Sequence, residues 1–249
     1  MSERDGFQPG VPAWIEAWES DTGAARRFYS RLFGWEADGG RFTLRGRDVA
    51  GFAQGSPVGW TVQVWVDDAE ETARRVTTAG GTVVDGPTNG TVVFTDPGGA
   101  LLAAREMGGH AGAGVVNEPS AWSWAHLFTR DAEGAKAFYG AVFGWETEAF
   151  GDVTMFRLPG FVGGEPQQPV SRDVVAGMEE MTGDGFPPDA WPQWRVDFWV
   201  DDVDAKVARA TELGGRTLVP AFDTPINRQA VLVDPQGAAF SVSRITLPS

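Results

Sequence analysis

Cysteine is absent from the 249-residue chain, which excludes disulfides, thiolate metal sites and a cysteine nucleophile at once. Positive charge is scarce: 20 Lys plus Arg face 34 Asp plus Glu, for a formal net charge of −14, and the only lysines are Lys136 and Lys206. Nucleic-acid binding needs a clustered basic face, so polyanionic partners are not expected, and a solvated acidic surface is the plain meaning of the charge. No apolar run approaches the ~20 residues of a membrane span, and the polar stretch Met1 to Gly10 lacks the apolar core of a secretory signal. The expectation is a cytoplasmic protein without membrane partners. There is no Gly-x-Ser-x-Gly elbow, and Gly108-Gly109 and Gly163-Gly164 lack the strand-to-helix setting of a phosphate loop.

What the chain does contain is a duplication. Phe-Tyr-x-x-x-Phe-Gly-Trp-Glu runs from Phe28 to Glu36 and again from Phe138 to Glu146. Each copy follows a tryptophan-bearing alternating run, Trp14 to Trp18 or Trp124 to Phe128, and an aspartate suited to cap a helix, Asp21 or Asp131. Apolar residues at helical spacing (Ala25, Phe28, Tyr29, Leu32, Phe33) then lead to Gly34, a helix stop; Ala135 to Gly144 repeat the pattern. A second strand and helix follow in each half: Thr61 to Val66 then Asp68 to Ala79, and Arg195 to Val200 then Asp202 to Leu213. The offset between matching residues grows from 110 at Phe28 and Phe138 to 134 at Val66 and Val200. The second half therefore carries about 24 extra residues, expected as a Gly/Pro-rich loop over 150–194 with a short element near Asp173 to Met181. The length suits two domains, placed at 1–109 and 120–249 with a linker at 110–119.

These residues, with Val-Asp-Asp before each second helix (Val66 to Asp68, Val200 to Asp202), paired glycines (Gly80-Gly81, Gly214-Gly215) and Asp-Pro-x-Gly before each last strand (Asp96 to Gly99, Asp234 to Gly237), resemble the vicinal oxygen chelate superfamily. That group includes glyoxalase I, bleomycin-resistance proteins and extradiol dioxygenases. The resemblance covers nearly the whole chain. It implies an α+β fold of two tandem domains, each a pair of βαβββ modules whose curled sheets form a cup with helices outside. Fold alone does not carry a reaction across.

Strand alternation separates the two faces of each sheet independently of the resemblance. Ile15, Ala17, Val62, Val64, Val66, Ala125 and Leu127 are the apolar set expected under the helices. The opposite, cup-lining face then holds Trp14, Glu16, Trp18, Gln63 and Trp65 in the first domain, and Trp124, His126, Phe128, Arg195, Asp197 and Trp199 in the second. Metal-dependent members of the superfamily place His, Gln or Glu on these strands. Carried over by register, the positions hold Trp14 and Trp124, Thr61 and Arg195, and Ala103 and Ser241, none of them a good ligand for a divalent cation. No cofactor is expected on that register. A shift of two residues would bring up Glu16 and Gln63, or His126 and Asp197, and leaves a divergent metal site open.

His126 is expected to meet Asp197 on the cup face, as an acid–base pair or as a buried imidazole satisfied by a carboxylate, the structural reading being preferred. His110, in the linker, is expected in solvent. Indoles lining a cup suit a flat or cationic organic ligand, each contact contributing ~0.5–2 kcal/mol, although filling of the cup or burial of an interface would use the same rings. The leading expectation is a glyoxalase-like protein, monomer or homodimer, that binds a small apolar or aromatic molecule without the usual metal, as the sequestering resistance proteins do. Arg195 and Asp197 would hold its polar end, with the insertion as a lid. The alternative is an enzyme of the superfamily, a lyase, isomerase, hydroxylase or dioxygenase tailoring a natural product with His126 and Asp197; a third reading makes the tryptophan faces docking surfaces.

Overall fold

The computed structural model describes residues 3–163, 170–182, 186–187 and 189–246. Its first half runs β1 (Pro12–Glu19), α1 (Thr22–Phe33), β2 (Glu36–Asp38), β3 (Arg41–Leu44) and β4 (Arg47–Gln54), then β5 (Gly59–Val66), α2 (Ala69–Thr78), β6 (Thr82–Thr88), β7 (Thr91–Thr95) and β8 (Leu101–Glu106). The second half opens with β9 (Trp122–Thr129), α3 (Ala132–Phe143), β10 (Glu146–Phe150), β11 (Val153–Arg157) and β12 (Val174–Glu180). It ends with β13 (Gln193–Trp199), α4 (Val203–Glu212), β14 (Arg216–Asp223), β15 (Asn227–Val233) and β16 (Ala239–Ile245). The duplication is thus realised as four βαβββ modules.

Each half forms one eight-stranded sheet, in the order β2-β3-β4-β1-β5-β8-β7-β6 and its counterpart β10-β11-β12-β9-β13-β16-β15-β14. The two modules of a sheet meet at antiparallel pairs, β1 with β5 and β9 with β13. Each last strand returns parallel to the first of its module, so a cup forms within one half. The helices start where the sequence says they should: Asp21, Asp68, Asp131 and Asp202 each accept a hydrogen bond from a first-turn N–H at 2.8–3.0 Å. Gly34 and Gly144 end α1 and α3 in the left-handed region, at φ 77° and 73°. The apolar strand faces are buried as alternation requires, Ile15, Ala17, Val62, Val64 and Leu127 completely.

The two halves are joined by an exchange of contacts. Phe28 and Phe33 of α1 meet Phe240 and Phe198 of the second sheet, while Phe138 and Phe143 of α3 meet Phe94 of the first. Tyr29 donates its hydroxyl to Asp234 at 3.2 Å and accepts Trp60 Nε1–H at 3.1 Å. Its twin Tyr139 donates to Asp96 at 2.9 Å and accepts from Trp194 at 2.8 Å. The repeated motifs are therefore halves of one joint: the Tyr comes from one domain and the Asp of Asp-Pro-x-Gly from the other. Gly81 and Gly215 leave room for the opposing phenylalanines, since a Cβ would approach Phe138 to 2.7 Å and Phe28 to 3.1 Å. Trp35 and Trp145 donate across the same joint, to the carbonyls of Ser120 and Gly10.

Two expectations require correction. The extra residues of the second half do not form one loop over 150–194: β12 is the short element expected near Asp173 to Met181, but β11 also lies within that range, and the added chain falls in 158–173 and 181–192, where the first half has only 45–46 and 55–58. Gly151 and Pro159, on either side of it, conceal β11. Residues 164–169, 183–185 and 188 of the expected lid lie outside the described residues. His110 is not in solvent. Its side chain is 11% exposed, because the linker crosses the first cup and sets the imidazole against Trp14 at 4.4 Å and Trp65 at 6.1 Å. Among the described residues no helix is long and apolar enough to cross a membrane.

At the end of β1, Glu19 is fully buried beside Asp234, and no N–H or hydroxyl donor reaches either carboxylate oxygen. Burial first, then neighbouring Asp234, pushes its pKa up to about 9 from 4.5. A carboxyl raised on folding contributes stability that is fully present below about 4.5 and lost as pH rises through about 9. Glu19→Gln, which cannot ionise, is expected to match the parent near pH 4 and to exceed it by ~1–3 kcal/mol at pH 8, read from urea unfolding at the two pH values.

Candidate functional site

The two cups have the same plan and opposite fillings. In the first, Trp14, Thr61, Gln63 and Trp65 are at most 3% exposed beneath the linker. Glu16 accepts from Trp18 Nε1 at 3.0 Å and from Gln63 Nε2 at 3.5 Å. The five predicted site residues Trp14, Glu16, Trp18, Gln63 and Trp65 share a face, and Trp14 and Trp65 pack against His110. In the second cup, Trp124, His126, Arg195, Asp197 and Trp199 are only half-buried, and Phe128 is 9% exposed.

Register places His126 directly opposite Arg195 across β9 and β13, and Trp124 opposite Asp197. The expected His126–Asp197 hydrogen bond does not form. Asp197 Oδ2 instead accepts from Ser243 Oγ and, at 3.0 Å, from Ser123 Oγ. Ser123 reaches it because a β-bulge falls there, two residues of β9 opposing one of β13, and turns a side chain that simple alternation would send elsewhere. Arg195 lies over the Phe128 ring at 4.2 Å, a cation–π contact on the cup wall.

Burial, then the charge of Arg195, drives the His126 pKa down to about 3, so the ring is neutral at physiological pH. Burial, opposed by the hydrogen bonds from Ser243 and Ser123, raises Asp197 to about 7. Arg195 is lowered by burial to about 10 and supported by Glu179 and Asp197, which leaves it charged. His126 Nε2, Arg195 Nε and Asp197 Oδ1 are buried and have no hydrogen-bond partner. Unmet buried polar atoms are costly, ~1–3 kcal/mol each; the first cup carries two of its own, Gln63 Oε1 and Trp65 Nε1.

Four contributors were not named from the sequence. Ser243 stands two residues beyond Ser241, so period-two alternation could have found it. Ser123 depends on the bulge. Gly177 and Glu179 lie in the stretch read as insertion; β12 pairs parallel with β9, setting Gly177 beside His126 and Glu179 beside Phe128. A Cβ at Gly177 would sit 2.6 Å from His126 Nδ1 and 2.9 Å from Trp124 Nε1.

A glyoxalase-like domain model matches residues 15–105 and 125–243, once for each sheet. The chain belongs to the glyoxalase-like family of the vicinal oxygen chelate superfamily. This glyoxalase-like protein is 35% identical to the anthracycline biosynthesis protein DnrV of Streptomyces peucetius, over 95% of its own length and 94% of the relative's. Its fold is similar to that of the Mn(II)-bound glyoxalase from Novosphingobium aromaticivorans, with a TM-score of 0.61 at 15% identity, covering 95% of this chain and 84% of that one. It is also similar in fold to the 2,3-dioxygenase LapB from Pseudomonas sp. KL28, with a TM-score of 0.57 at 14% identity, covering 97% and 96%. The first of these structures contains Mn(II), so the fit of such an ion here is a real question.

The donor set of the glyoxalase-like protein does not suit one. Among the described residues no three His, Asp or Glu side chains converge. The orphaned His126 and Asp197 atoms are accompanied by the fixed cation of Arg195, which opposes a dication, and the neighbour of His126 on β12 is a glycine. The Gly177→Ala substitution is expected to lift the imidazole off the sheet at a cost of ~1–3 kcal/mol. NMR titration checks it, since the chain has two histidines: the His126 signal, neutral down to about pH 3 in the parent, should titrate at a higher pH in the variant.

Proposed function

We propose that the second cup is the working site and that it binds a small oxygenated aromatic molecule without the metal common in the superfamily. The observation that carries this reading is the contrast between twins: the first cup is packed against the chain's own His110, whereas the second holds an imidazole, a guanidinium and a carboxyl with three unpartnered polar atoms beside the Phe128 ring. Arg195 Nε–H would donate to a carbonyl or phenolate oxygen, Asp197 Oδ1 would accept from a hydroxyl, and neutral His126 would supply either role. Trp124 and Phe128 would cover the ring faces. An aromatic oxygenated ligand also agrees with the kinship to an anthracycline biosynthesis protein.

A second reading, enzymatic proton transfer, is favoured by one specific observation. Asp197 titrates at about 7, where a carboxylate exchanges protons most efficiently with a bound hydroxyl or an acidic C–H. In that reading Asp197 is the base, Arg195 stabilises the developing oxyanion, and His126 orients the substrate.

Binding of catechol, measured by calorimetry between pH 5 and 9, should strengthen as pH rises through about 7, because the carboxylate and not the acid accepts the hydroxyl. Asp197→Asn should remove that step and weaken binding by about tenfold at pH 8, the loss of one charge-assisted hydrogen bond. Elemental analysis of the purified protein should give sub-stoichiometric manganese, iron, nickel and zinc; one equivalent lost on His126→Ala would overturn the metal-free part of the reading.

A further inference from the structure

A groove of ≈430 Å³ opens beside the second cup, between the N-terminal segment, the start of β9 and Phe161–Val162. Its position has a counterpart in the first domain, and there the space is taken. The linker hydrogen-bonds to the bulge residue Ala13 through Ala113 N–H at 2.8 Å and to Asp48 through Gly114 N–H at 2.7 Å, while His110 lies edge-on to Trp14. The duplication maps Ala13 and Trp14 onto Ser123 and Trp124, and the pairing of β4 and β12 with the first strands maps Asp48 onto Val174. All three counterparts line the groove. What the first domain fills with a segment of itself, the second leaves empty.

The chemistry of the walls differs at the matched position. The first domain offers Asp48 to its imidazole; the second offers Val174, with Phe7, Val116 and Phe161 around it and Arg4, Gln8 and Asn117 also on the wall. The groove also joins the polar cluster of the cup, since Ser123 lines it and donates to Asp197 at 3.0 Å. We infer that the groove is a second subsite, which takes the apolar fused-ring body of a ligand edge-on to Trp124 while the oxygenated end sits at Arg195 and Asp197. This rests on the second cup being the binding site and extends it: the preferred ligand is polycyclic, not a single ring. A volume of ≈430 Å³ is within the ~300–1,000 Å³ range of small-molecule sites.

The test compares catechol with alizarin, which carries the same vicinal hydroxyl pair on a fused three-ring body, by calorimetry on the full chain. The parent should bind alizarin about tenfold or more tighter than catechol, from the added apolar area removed from water. Val162→Asp and Gln8→Trp change exposed residues of the groove wall, one by charging it and the other by filling it, and each should bring the affinity ratio close to one. Asp197→Asn should weaken both probes and keep their ratio. An unchanged ratio in both groove variants, or a parent without preference for alizarin, overturns the subsite and leaves the cup reading standing if Asp197→Asn still weakens catechol. Absence of binding by both probes overturns the cup reading and the subsite together.

Discussion

Two hydroxyls, those of Tyr29 and Tyr139, hold the halves of this molecule in register. Each is buried, each sits on the first helix of one domain, and each hands its proton to an aspartate in the last turn of the other domain while receiving an indole N–H from its own sheet. Burial, then the adjacent carboxylate, raises both phenols well above their usual range, so they remain donors at any physiological pH. The aspartates are doubly committed: Asp96 and Asp234 also tie their own turns through Oδ1. Neither domain completes this network alone, which makes the tandem arrangement a structural requirement of the sequence and not merely a consequence of duplication.

That joint allows one cup to be sacrificed. With the halves locked, the connecting segment must travel from the end of β8 to β9, and its path lies over the first cup. His110 and the small residues after it fill the space against Trp14 and Trp65, and the buried strand faces beneath gain a lid made of the chain itself. His110 and the linker that carries it belong to the first cup only. The second cup also differs in chemistry: where the first has Glu16, Gly51, Thr61 and Gln63, the second has His126, Gly177, Arg195 and Asp197, with a cation opposite an imidazole and a carboxyl moved toward neutrality by burial. The two cups are matched in position and differ in content: one is packed against His110, and the other carries the candidate site.

Much of this was legible in the residues. The repeated Phe-Tyr and Asp-Pro motifs gave the module count, the capping aspartates and stopping glycines bounded the helices, and period-two alternation assigned the faces of β1, β5, β9 and β13. The errors came where local pattern is a poor witness. The pairing of His126 with Asp197 was inferred from a shared face, but register set Arg195 opposite the histidine, and a single bulge delivered Ser123 to the carboxylate. β12 was legible only as a short element near Asp173 to Met181, not its pairing with β9, and its Gly177 is needed there because imidazole and indole nitrogens crowd its α-carbon.

The sequence by itself determined the elements, their order and which side chains share a sheet face, because backbone geometry repeats every two or 3.6 residues and apolar spacing records it. Tertiary structure alone decided what those faces meet. Whether a tryptophan-lined hollow is open or stopped depends on where a sequence-distant imidazole comes to rest, and whether a motif belongs to its own core or to its partner's depends on how two sheets dock. Both are set by the packing of surfaces remote along the chain, for which no local period exists.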